Sequence, residues 1–169
     1  MDSEPGRFLI LWTVRVSVGL YAIAVLMKMQ LTTSPTSARL YRLAWLLSWC
    51  FCVIHVVCAY HFQHHWDQAA ALKHTAEMTR RVVGIYWSGG LYVNYVFLTL
   101  WGVQSMVQLV RDRPSGRVED LSMHALAAFM MFNATAVFGP AWWIAVVAAY
   151  GLVIVVQVFR GRVQRKKPS

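Results

Sequence analysis

Carboxylates are scarce in this chain. Seven Asp and Glu stand against 16 Lys and Arg in 169 residues, and charged residues of both signs amount to 14 %. A soluble domain carries roughly a quarter charged residues, so a water-facing surface of ordinary composition is excluded. Proline is rare as well, with five in the chain, and long stretches therefore run without a helix breaker. The three cysteines, Cys50, Cys52 and Cys58, are odd in number and lie in one apolar stretch, which does not indicate a disulfide framework. There is no phosphate-binding glycine loop, and Ser48, Ser88, Ser105 and Ser122 have no histidine and carboxylate at a readable spacing. A cleavable signal peptide is not expected, because MDSEPGR is net neutral and the apolar run after it is too long and lacks a small-residue cleavage motif.

What the chain does have is hydrophobe, at 58 % of residues. Five segments reach the roughly 17 to 25 residues needed to cross the hydrocarbon: Phe8–Met27, Leu43–Tyr60, Leu91–Val110, Leu121–Phe138 and Trp142–Phe159. The sequence therefore reads as one all-α transmembrane domain, an integral membrane helical bundle with five spans. From Leu121 to Phe159 the chain is nearly uninterrupted hydrophobe, which as one helix would extend about 58 Å, twice the hydrocarbon thickness. It must break, and Gly139-Pro140 is the expected place. The alternative fold has four spans, with Leu121–Phe138 re-entrant or interfacial.

The formal charge of +9 is confined to short connections and to the tail RGRVQRKKPS, residues 160–169, which makes it an orientation signal and not a nucleic-acid footprint. Five spans put Lys28, Arg39, Arg42, Arg111, Arg113, Arg117, Arg160, Arg162, Arg165, Lys166 and Lys167 on one face, against Arg7, Lys73, Arg80 and Arg81 on the other. The richer face is expected in the cytoplasm, giving a multi-pass protein of the cell inner membrane with the N-terminus outside and the C-terminus inside. Between spans two and three, good helix formers with Glu77 and Arg81 four apart predict an interfacial helix over about 62–83, ending near Gly84.

Five of the six histidines fall in HVVCAYHFQHHWDQAAALKHT, residues 55–75. If the second helix ran on past Tyr60, His55, Cys58, His61 and His65 would share one face at steps of three and four, with His64, Asp67 and His74 on a neighbouring face. Imidazole, thiolate and carboxylate are ligands for copper, zinc or iron. This makes His55, His61, His64, His65 and His74, with Cys58 and Asp67, the candidate metal ligands. Arg15, His55 and Asn94 sit at a common depth near the outer membrane face with Asn133 and Thr135. Buried ionisable side chains in lipid pair or mark a site, so Arg15, His55 and Asn94 are candidate cofactor contacts, with haem b, Arg15 on a propionate, as one expectation. His124 stands alone and reads as an interfacial histidine.

HFQHH at 61–65 resembles one histidine box of the membrane fatty-acid desaturases and hydroxylases, whose di-iron centres use eight or more histidines in cytosol-facing boxes, more than this chain contains. A broader resemblance is to an uncharacterised family of small bacterial multi-pass membrane proteins. It is carried by HVVCAYHFQHHW, by Ala71, His74, Thr75, Ala76 and Thr79, by GGLYVNYVF at 89–97 and by MMFNATAVF at 130–138. That resemblance implies the architecture and no reaction. The expected functions are transition-metal or haem binding in electron transfer, metal handling or complex assembly; a structural or accessory subunit with membrane-protein or homo-oligomeric partners; and a lipid or quinone pocket. No catalytic residue is named.

Overall fold

The structure is a computed structural model that describes residues 4–30, 35–111, 116–137 and 139–165. Among the described residues every regular element is helical: α1 Glu4–Gln30, α2 Pro35–Phe62, α3 Gln68–Val83, α4 Gly90–Arg111, α5 Arg117–Phe132 with a π-helical turn Asn133–Val137, and α6 Trp142–Arg165. Proline opens α2 and lies in the first turn of α1, where a missing N–H removes no intrahelical bond. Three helices, α1, α2 and α4, are long and apolar enough to cross a membrane. The apolar part of α6, Trp142–Gln157, is shorter, and α5 has 16 residues.

Contacts between helices fix the path of the chain. Gly6 lies against Phe62, the Ile10 carbonyl against His55, Ser17 against Ser48 and Tyr21 against Trp45, so α1 and α2 are antiparallel. Tyr60 meets Tyr95, Trp49 meets Leu98 and Arg42 meets Gln108, which sets α4 antiparallel to α2. α5 begins beside Lys28, which pairs with Asp120. α6 then runs parallel to α1, since Arg15 lies over Trp142 and the Tyr150 hydroxyl donates to the Ala22 carbonyl at 2.9 Å. The five long elements thus alternate in direction, leaving a histidine end and a Lys28 end.

Small residues bring the backbones together, a packing that is common between helices apolar enough to cross a membrane. Ser17 Oγ donates to the Ser48 carbonyl at 2.8 Å and Ser48 Oγ donates back to the Ser17 carbonyl at 2.7 Å, both side chains fully buried. A Cβ on Gly6 would strike the Phe62 ring at 2.7 Å, and one on Gly102 would strike the Trp49 indole at 2.6 Å. The apolar core, with Tyr21, Ala24, Tyr41, Trp45, Trp101, Met123 and Ala127, is concentrated towards the Lys28 end. The histidine end has less packing behind it.

Several boundaries differ from expectation. The helix expected over 62–83 begins at Gln68, and α2 stops at Phe62, so the stripe His55, Cys58, His61, His65 does not continue on one helix. The expected end near Gly84 is met: Gly84 is left-handed at φ 79° and its N–H donates to the Arg80 carbonyl. The long hydrophobic stretch breaks at Gly139-Pro140 as anticipated, the π-helical turn ending at Val137 and α6 opening at Trp142. Only glycine fits at 139, where a Cβ would lie 2.1 Å from the Thr135 carbonyl oxygen. Asn133 and Thr135 donate within their own helical segment, to the Phe129 and Met131 carbonyls at 2.8 and 2.7 Å. Phe138 and residues 166–169 of the tail lie outside the described residues, and Arg160 to Arg165 prolong α6.

Candidate functional site

The end of α2 explains how the histidines are arranged. After Phe62 the chain tightens: Gln63 and His64 N–H groups both donate to the Ala59 carbonyl, and Trp66 N–H donates to Tyr60. His65 and Trp66 then adopt left-handed backbone at φ 48° and 63°, adjacent positions where neither residue is glycine. Side chains of this kind disfavour that region by about 1–2 kcal/mol each, and such strain persists where surrounding contacts over-determine it. Here those contacts begin with Asp67, whose carboxylate caps α3 by accepting from Ala69 and Ala70 N–H at 2.8 and 3.3 Å. Gln68 Oε1 follows, accepting from the Tyr60 hydroxyl at 2.6 Å and the Tyr95 hydroxyl at 3.1 Å, which ties the start of α3 to α2 and α4.

The turn folds α3 back so that His64 and His74 meet, with ring centroids 5.3 Å apart and an interplanar angle of 58°. His64 also stands edge-on to Tyr60 at 5.8 Å. The Gln63 amide nitrogen, a donor, lies 3.4 Å from His74 Nε2, so that nitrogen presents its lone pair to the turn. His61 is drawn elsewhere, its Nδ1 accepting from the exposed Trp66 indole at 3.3 Å. His65 is exposed on the strained residue itself, Cys58 is a half-buried free thiol on α2, and Asp67 is engaged by its cap. Among the described residues no three of His, Cys, Asp and Glu gather closely enough to surround a metal ion. The pair His64 and His74 is what the fold brings together from the seven candidate ligands.

The candidate cofactor contacts are dispersed. His55 Nδ1 lies 2.9 Å from the Ile10 carbonyl and, as only an N–H can satisfy a carbonyl, donates to it, leaving Nε2 as the nitrogen with the lone pair in neutral imidazole. Arg15 is two residues from Ser17, which faces α2, and 3.6 residues per turn place it on the other side of α1. Its guanidinium lies over the Trp12 and Trp142 rings at 5.2 and 5.7 Å, a cation–π clamp between α1 and α6. Asn94 is half-buried on α4. No contact among the described residues joins Arg15, His55 and Asn94.

Sequence reading missed a polar centre at the Lys28 end. Lys28 pairs with Asp120; His124, one turn on, sits 3.7 Å from Asp120 Oδ1; and His124 Nε2 is 3.0 Å from the Tyr41 hydroxyl. The Trp45 ring packs on His124 at 4.5 Å, and Lys28 Nζ lies 5.4 Å from the centre of the Tyr41 ring. Three helices, α1, α2 and α5, are joined by groups that would be costly in lipid singly. Asp120 four residues before the one histidine outside the cluster was the available signal, but an i,i+4 pair names no partner on other helices. The network can hold α5 against the α1–α2 pair; its acid and base are already paired with each other.

In comparisons with known proteins, the chain matches no family model, no curated protein and no solved structure.

Proposed function

We propose that the chain is a five-crossing integral protein of the cell inner membrane, N-terminus outside and C-terminus in the cytoplasm, that binds a transition metal ion at its extracytoplasmic cap through His64 and His74. The observation that carries this reading is the 5.3 Å separation of the two rings. A tetrahedral ion bound to one nitrogen of each imidazole at about 2.0–2.1 Å would hold the centroids roughly 5 Å apart. The consecutive left-handed residues His65 and Trp66 support it, since the backbone is strained at the turn that makes the pair. Two imidazoles leave coordination positions for water or for a ligand from a partner, which suits metal handling or assembly of a larger membrane complex. A haem held by both imidazoles would need them on opposite faces of the macrocycle, and a pair of rings 5.3 Å apart at 58° across the turn serves a bare ion better.

The test is metal analysis of detergent-purified protein loaded with zinc or copper and freed of excess ion. About one ion per chain is expected, lost in His64→Ala/His74→Ala and retained in His55→Ala. A chain that takes up no stoichiometric ion, or a double variant that binds as well as the parent, sinks the metal reading and leaves the structural or accessory role.

A further inference from the structure

At the opposite end of the bundle, a cleft of about 240 Å³ between α2 and α4 is lined by Arg39, Arg42, Leu43 and Leu109. Arg39 and Arg42 are one helical turn apart on the same side of α2, and Leu43 continues that side towards the bundle centre. Arg42 is set in the wall by its Nη1, which donates to the Gln108 carbonyl on α4, and its Nε, which donates to Ala38, both at 3.3 Å. Arg39 is exposed. The apolar half of the lining is exposed as well, Leu43 by 48 % and Leu109 by 40 %, and Leu47 and Met106 extend it along the two helices.

We propose that this cleft binds the headgroup of an anionic phospholipid, the phosphate held at Arg39 and Arg42 and the acyl chains laid along Leu43, Leu47, Leu109 and Met106. Charge complementarity supports the occupant. The connecting stretches 28–42 and 111–120 hold six basic residues and three acidic ones, so positive charge is left over even with every carboxylate paired. An external anion relieves that excess. Basic pockets between membrane helices on the cytoplasmic side take lipid phosphates for the same reason. A zwitterionic headgroup brings no net charge, and the cleft sets its two arginines beside exposed leucines, so a single anionic phospholipid meets both parts. The inference rests on the membrane placement proposed above and is independent of the metal.

Native mass spectrometry of the detergent-solubilised protein, titrated with phosphatidylglycerol or with phosphatidylcholine of equal chain length, reads the binding. Phosphatidylglycerol should bind in preference, and Arg39→Gln, at an exposed position, should weaken it about fivefold, as expected for loss of one basic group at a membrane surface. Leu109→Trp, which fills the cleft and leaves the arginines in place, should weaken it too, whereas Lys73→Gln at the other end should not. Equal binding of the two lipids, indifference to both cleft variants, or displacement of the lipid by an equal concentration of inorganic phosphate would each overturn the proposal. Metal content should be unchanged in Arg39→Gln, so failure here is distinguishable from failure of the histidine site.

Discussion

Lys28 and Asp120 lie 92 positions apart in sequence and meet in space. Removing one partner leaves the other charge half-buried between helices, whereas replacing both with apolar groups removes the desolvation cost together with the attraction. Asp120→Ala should therefore lower stability by about 1–2 kcal/mol, less than for a fully buried pair because the side chains are 30 % and 23 % exposed. The double variant Lys28→Met/Asp120→Leu should recover most of that loss. Chemical denaturation of the detergent-solubilised protein measures both, and simple additivity of the single changes would refute the coupling. At this scale the sequence was readable by type and not by partner. Arg15 stands out by type, and Trp12, three residues before it, shares its helix face, but Trp142 comes from α6 and no spacing announces it. His124 looked solitary for the same reason: its neighbours Tyr41 and Trp45 come from another helix.

Elements follow local chemistry more closely. Gly84 ends α3 and Gly139-Pro140 ends the fourth hydrophobic segment because glycine and proline act through their own backbones, without help from distant residues. The halt of α2 at Phe62 was hidden, since HFQHHW holds neither glycine nor proline. It depends on Asp67 capping the next helix and on Gln68 engaging Tyr60 and Tyr95, and only the second of these is tertiary. The histidine stripe was drawn on a helix that ends too early, and the pair that forms, His64 and His74, crosses the turn instead. Gly139→Ala should disrupt the α5–α6 hairpin, because the added Cβ meets a backbone oxygen and not a movable side chain. A loss of about 2 kcal/mol or more is expected in thermal or denaturant unfolding, and a variant of unchanged stability would show that the break tolerates a side chain.

For the molecule as a whole, alternation of helix direction places the end of α6 with Lys28 and the start of α3 at the opposite end. With the proposed orientation, a reporter fused after Ser169 should be active in the cytoplasm, and Lys73→Cys should react with a membrane-impermeant maleimide from outside. Both positions on one side would remove a crossing from α5 or α6. The sequence alone determined the helical class, the apolar segments, the break at Gly139-Pro140 and the concentration of positive charge, because composition, periodicity and backbone freedom are properties of neighbouring residues. Only tertiary structure decided which polar groups meet. The packing of Ser17 on Ser48 and Trp49 across Gly102 sets how closely and at what rotation the helices approach, and that rotation sends Arg15 away from His55 while gathering Lys28, Tyr41, Asp120 and His124 at the other end.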